Sequence, residues 1–311
     1  MNTPQSGSNW GEQHHCEFGR WRCHWRRLGP PGGPALVLLH GFGAASGHWR
    51  SNVAGLAAAG YCVYAIDLLG FGQSDQPAIA LDNRLWSRQL QQFLREVVQV
   101  PALLVGNSLG GLVAITTAVF APELVRAVVA APLPDPTLLQ ALPKRRPRWK
   151  RQLERFLLNF VAKFLPLGPL IALLRQTPLL RLGIKSAYAN PERINLELVR
   201  LIQQPARRKG AAGALAGMVR GMGLRPAAAT APELLPRLKC PLLLLWGKQD
   251  RLVPAQIGQK VLALSPKGLC ELQLMAGLGH CPHDEDPERF NELLLSWEHQ
   301  RLGLAGPKLG Q

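Results

Sequence analysis

The chain has 311 residues, of which 47% are hydrophobic and 18% charged, the balance of a globular protein with an ample core. No run reaches about 18 uninterrupted apolar residues, which excludes a membrane-spanning helix, and the opening MNTPQSGSNWGEQHH lacks the basic start and apolar run of a secretory leader. The net charge of +16 is concentrated: Lys144 to Arg225 carries 18 Lys and Arg against only Glu154, Glu192 and Glu197, a surplus that directs attention to anionic membrane surfaces and nucleic acid.

In chain order, HCEFGRWRCHWRRLG (15–29) alternates loosely around Gly19 and suits an opening hairpin. PALVLLH (34–40) is a short apolar run closed by turn residues, the pattern of a strand buried on both faces. A helix is expected over about 46–59, a strand at YCVYAID (61–67), a helix over about 81–98 and a strand at ALLVG (102–106). A small-residue helix after Ser108 and the strand VRAVVAA (125–131) complete a strand–helix alternation, which signals a parallel sheet covered on both faces. From about 133 to 236 no strand is legible and helical patterns dominate. The alternation resumes with PLLLLWG (241–247), a helix after Pro254, the strand CELQLMAG (270–277) and a helix over about 287–301. The expected organisation is an unpacked stretch over 1–12, a core over 13–132, a helical cap over 133–236, a second core part over 237–302 and a tail over 303–311.

Gly106-Asn107-Ser108-Leu109-Gly110 fits G-x-S-x-G between a strand and a helix, the context that this nucleophile turn requires. The glycines allow close backbone approach on either side of a strained serine, and the new helix points its positive end beside the hydroxyl. A serine needs a base, and the base needs an acid to orient it. With the order Ser, acid, His, the strand ends supply Asp250 in WGKQDRLVP and His280 in GLGHCPHDE. His283 is the competing base and Asp135 the competing acid. His283 is expected instead in a supporting position, because His280 follows the strand more directly. The two oxyanion donors are expected to be the backbone N–H groups of Leu109 and of Phe42, within LLHGFGAASGHW. His40, Gly41, Gly43 and Asn107 line or support the site.

Other patterns are weaker. Gly41-Phe42-Gly43 with Asp67 imitates a dinucleotide fingerprint, but Ser46 holds the third glycine position and the triad residues would go unexplained. Asp67 and GFGQSD are expected to shape a tight loop beside the site. His14, His15, Cys16, Cys23 and His24 have irregular spacing for a metal, so neither metal nor cofactor is expected. The six cysteines (Cys16, Cys23, Cys62, Cys240, Cys270 and Cys281) show no disulfide framework, which points to reduced thiols and a cytoplasmic location. Cys281, beside His280, suggests sensitivity to thiol reagents.

Together HGFG, AIDLLGFGQSD, GNSLGG, WGKQDRLVP and GHCPHDEDPERFN resemble the α/β-hydrolase superfamily over about 15–300. HGFG, GNSLGG and GHCPHDE are closest to its pheophytinase and chlorophyll dephytylase-like branch. The resemblance implies an eight-stranded, mostly parallel sheet with helices on both faces and a helical cap inserted after strand 6. It also implies Ser108 as nucleophile, Asp250 as acid, His280 as base, and a phytyl ester of a chlorophyll-type pigment as substrate, at the thylakoid surface. A meta-cleavage-type carbon–carbon hydrolase would use the same triad. A protein without enzymatic activity would use the basic segment alone, on membrane or nucleic acid, although no nucleic-acid module is visible. KRRPRWKRQLERFLLNFVAKFL combines basic residues with Trp149, Phe156, Phe160 and Phe164, a composition suited to lying on an anionic membrane. The oligomeric state is not legible in the sequence.

Overall fold

A computed structural model of the chain describes residues 9–138, 169 and 176–303. The strands are β1 (Glu12–Phe18), β2 (Trp21–Leu28), β3 (Ala35–Leu39), β4 (Cys62–Ile66), β5 (Ala102–Asn107), β6 (Val125–Ala131), β7 (Leu242–Gly247) and β8 (Cys270–Met275). They form one eight-stranded sheet in the order β1-β2-β4-β3-β5-β6-β7-β8. The β1–β2 and β2–β4 pairs are antiparallel, and all the others are parallel. The central strands read as continuous apolar runs because both faces are covered. Val37, Leu39, Leu242 and Leu244 enter one core, while Leu36, Leu38, Leu243 and Leu245 enter the other.

The helices with eight or more residues, and one shorter, follow in chain order as α1 (Val53–Ala58), α2 (Asn83–Phe93), α3 (Leu109–Phe120), α4 (Thr177–Ala187), α5 (Leu196–Ala206), α6 (Ala211–Leu224), α7 (Gln256–Leu264) and α8 (Pro287–Leu302). Helices α2, α3 and α7 cover one face with Trp86, Leu112 and Val261, and α1 and α8 cover the other with Leu56 and Trp297. The single helix expected over 46–59 is instead a 3-10 turn (Ser46–Trp49) followed by α1, since Asn52 begins a new helix. Every described element between β6 and β7 is helical.

One boundary differs from expectation. The chain packs before residue 13: Trp10 is only 2% exposed in the α1/α8-side core, Arg26 donates to its carbonyl, and β1 begins at Glu12. An indole buries too much apolar area to be left in a loose tail. The basic aromatic segment at 144–165 and the tail beyond 303 lie outside the described residues.

Helix α6 shows packing overriding propensity. AAGALAGMVRGMGL contains four glycines, which weaken an isolated helix, yet it lies directly on the segment at 76–81. A Cβ on Gly217 would overlap the carbonyl of Ile79, one on Gly221 would overlap that of Leu81, and Leu81 N–H donates to Gly217 O. The glycines let the cap touch the core backbone. Among the described residues no helix is long and apolar enough to cross a membrane.

Candidate active site

Strand β5 runs straight into α3 through Ser108, which adopts φ 54° and ψ −118°, a backbone conformation costly for a residue with a side chain. Close approach enforces the turn. A Cβ on Gly106 would overlap the backbone of Gly110, and one on Gly110 would overlap the carbonyl of Leu39. Ser108 N–H is held by the carbonyl of Ala131 at the end of β6. The hydroxyl therefore stands at the C-terminal edge of the sheet, beside the N-terminus of a twelve-residue helix.

The loops after β7 and β8 complete a chain of hydrogen bonds. His280 Nε2 lies 2.9 Å from Ser108 Oγ, and His280 Nδ1 lies 2.8 Å from Asp250 Oδ2. The second carboxylate oxygen of Asp250 accepts from the N–H groups of Leu252 (2.8 Å) and Val253 (2.9 Å), so the carboxylate cannot turn. All three side chains are buried or nearly so. A nucleophile, a base and an orienting acid thus occur at hydrogen-bonding distance in the order that proton abstraction from a serine needs.

The residues around them act mostly through the backbone. Asn107 Nδ2 donates to the carbonyl of Ala131 and, at 3.0 Å, to that of His280, which ties the nucleophile turn to the histidine loop. His40 is buried beneath the loop at 41–43: its Nδ1 meets Gly41 O at 2.8 Å and its Nε2 accepts from Leu68 N–H at 3.0 Å. Burial lowers its affinity for a second proton. Gly41 packs so closely against Asn107 and Ser108 that a Cβ would stand 2.6 Å from Asn107 Oδ1, and Gly43 takes φ +73°. Among the described residues the N–H groups of Phe42 and Leu109 donate to no protein acceptor. Phe42 itself is 62% exposed and stands edge-on to Phe71.

His283 lies behind the His280 loop, 4.2 Å from the Trp49 ring, and neither ring nitrogen has a hydrogen-bond partner among the described residues. Burial, with His48 adding to it, keeps the ring neutral far below the ordinary histidine range. Asp135 belongs to the cap base, accepting from Arg225 at 2.6 Å, from Ala231 N–H and from Thr137. Asp67 does shape the loop beside the site, accepting from the N–H groups of Ser46 and Gln73 and from His24. Its burial raises the carboxyl pKa, but His24 and His40 outweigh that and hold it well below the usual range. Sensitivity at Cys281 is a corrected expectation: the thiol is buried, and desolvation with Asp284 and Glu285 nearby pushes its pKa far upward, away from the reactive thiolate.

The sequence did not announce Tyr188, Asp284 and Glu285 as site-supporting residues. Tyr188, from the end of α4, donates its buried hydroxyl to Asp284 at 2.7 Å and faces His48 Nε2 at 2.9 Å. Arg50 Nη1 closes on the other Asp284 oxygen at 3.0 Å. The acids were visible in GHCPHDE, but their partners come from elements remote in sequence.

A pocket of about 200 Å³ opens beside Phe42, between the core loop of Gly70 and Phe71 and the cap helices. Leu180, Ile202, Leu215 and Met218 supply the cap side, and among the described residues the lining includes no charged side chain. Among the described residues, no cluster of three or more His, Cys, Asp or Glu could hold a metal ion.

The profile of the "Alpha/beta hydrolase family" matches residues 36–293. The chain is 27% identical over 330 residues to the chloroplastic pheophytinase of Arabidopsis thaliana, covering 91% of this chain and 65% of that protein, so it spans just under two thirds of that relative. It is 31% identical over 300 residues to a 2-hydroxy-6-oxononadienedioate/2-hydroxy-6-oxononatrienedioate hydrolase of Burkholderia vietnamiensis (89% of this chain, 90% of that protein). It is also 32% identical over 262 residues to a pimeloyl-[acyl-carrier protein] methyl ester esterase of Edwardsiella ictaluri (82% and 89%).

Proposed function

The chain belongs to the α/β hydrolase family, and on that premise we propose that it hydrolyses carboxylic esters with a bulky apolar group through Ser108, His280 and Asp250. The observation that carries this reading is the unbroken chain Ser108–His280–Asp250, at 2.9 and 2.8 Å. Ser108 Oγ attacks the ester carbonyl while His280 Nε2 takes its proton, and Asp250 holds the imidazole with its other proton on Nδ1. The N–H groups of Phe42 and Leu109 receive the oxyanion. As the tetrahedral intermediate collapses, His280 returns the proton to the leaving alcohol. A water, deprotonated by the same nitrogen, then releases the acid from Ser108 and restores the enzyme.

The mostly apolar lining described beside Phe42 supports an apolar group. Among such esters, the resemblance to pheophytinase favours a phytylated chlorophyll-type pigment, with work at a thylakoid or other anionic membrane surface. In support of surface contact, α4 exposes Leu182 (67%) and Leu179 beside the exposed Lys185, within the basic stretch. The relative from Burkholderia favours a second reading, carbon–carbon cleavage of a dienedioate with the same triad. The described lining, with Leu180, Ile202, Leu215 and Met218 on the cap side, favours the apolar ester over a dicarboxylate, whose charges need partners.

The discriminating experiment is a panel of short aryl esters, long-chain lipid esters, phytylated pigments and ring-fission dienoates, with and without anionic liposomes. The proposal expects turnover of bulky esters, increased by liposomes. Turnover of dienoates with none of esters would replace it with the second reading.

A further inference from the structure

The loop carrying His280 is held from two sides. On the side of the nucleophile turn, Asn107 donates to the carbonyl of His280. On the cap side, His280 N–H donates to Ala187 O at 2.7 Å, at the end of α4. The carboxylate of Glu285 stands between these two pieces of chain. Its Oε1 accepts from Gly279 N–H at 2.7 Å, and its Oε2 accepts from Ala189 N–H at 2.7 Å and Asn190 N–H at 3.1 Å. Contact is so close that a Cβ on Gly279 would stand 2.7 Å from both Ala187 O and Ala189 N. Tyr188, in the middle of the same cap segment, is bolted to the core through Asp284 and His48.

From this geometry we infer that Glu285 is a positioning residue for His280, and that the segment 187–190 is the joint through which the cap and the catalytic histidine are held in register. A carboxylate is required because all three of its partners are donors. Glutamine keeps the shape but must turn its NH₂ either toward Gly279 or toward Ala189 and Asn190, setting donor against donor. One side of the joint then opens, and His280 loses its fixed distance to Ser108. Tyr188 governs the cap side of the joint, so its hydroxyl affects how the cap closes on a bulky substrate more than how a small one reacts.

This inference rests on the hydrolase reading, and the test separates the two. Wild type, E285Q, E285D and Y188F are compared as full-length chains for the rate of fluorophosphonate labelling at Ser108. They are also compared for kcat and KM on a short aryl ester and a long-chain one, below the unfolding range of each variant. E285Q is expected to be labelled at least tenfold more slowly, with kcat falling for both esters and KM little changed, and E285D is expected to regain part of the rate. Y188F is expected to raise KM for the long-chain ester more than for the short one. Labelling of folded E285Q at the wild-type rate would overturn the inference. If E285Q does not fold, an unchanged ratio of the two KM values in Y188F overturns it. A wild-type protein that is not labelled at Ser108 refutes the hydrolase reading instead.

Discussion

Asn at position 250 should disable catalysis while leaving the fold nearly untouched, and the reason lies in which atoms surround the carboxylate. Oδ1 of Asp250 is fixed by two backbone donors, Leu252 N–H and Val253 N–H, while Oδ2 faces His280 Nδ1. An asparagine will keep its only oxygen toward the two fixed donors and turn its NH₂ to the imidazole. His280 Nδ1 must then accept, which moves the ring proton to Nε2, the nitrogen 2.9 Å from Ser108 Oγ. The base is then protonated where it has to be free. A tautomer reversed in this way costs about 10⁴ in kcat, or ~5.5 kcal/mol of barrier. The assay is pre-steady-state hydrolysis of an aryl ester by D250N, with thermal unfolding measured alongside. D135N is the control, because Asp135 serves the cap base through Arg225 and Ala231 and should change stability without changing the rate of the folded enzyme. A D250N enzyme within tenfold of wild type, or a D135N enzyme with the larger loss in kcat, would show that Asp250 does not set the His280 tautomer.

Two further outcomes follow from contacts around the site. Asp67→Asn replaces one of two buried carboxylate oxygens, which together accept from three donors, with an NH₂ that must face a donor, at a cost of about 3–5 kcal/mol by urea unfolding at pH 7. Because the folded-state carboxyl lies below its unfolded value of 3.8, this stabilisation is fully present above about pH 4 and is lost as pH falls below that, so the two proteins should converge in acid. A constant difference down to pH 2 would contradict it. Gly217→Val must lift α6 from the carbonyl of Ile79, and KM for a bulky ester is expected to rise about tenfold, ~1.4 kcal/mol of binding, with the short ester less affected. Equal effects on both esters would show that α6 does not shape the substrate pocket.

Much of the sheet was legible because buried parallel strands are apolar runs such as PALVLLH and PLLLLWG, short and bounded by proline and turn residues. Ser108, Asp250 and His280 could be located because each lies just past a recognisable strand, in the order that the G-x-S-x-G turn calls for, and the structure brings them to hydrogen-bonding distance. What escaped depends on contacts between distant segments. Glu285 meets amides of Ala189 and Asn190, which nothing in the local pattern of GHCPHDE reveals. Trp10 sits in a polar stretch and is buried by partners far along the chain. The glycines of α6 read as helix-weakening until the backbone at 76–81 is seen beneath them.

Every step of the proposed hydrolysis depends on Ser108 being the nucleophile. Mass spectrometry of the full-length protein after treatment with a fluorophosphonate, with wild type and S108A side by side, tests that most directly. One adduct is expected on the wild type, mapped to the peptide containing Ser108, and neither adduct nor ester turnover in folded S108A. An adduct mapped elsewhere, or full ester turnover by S108A, would contradict it.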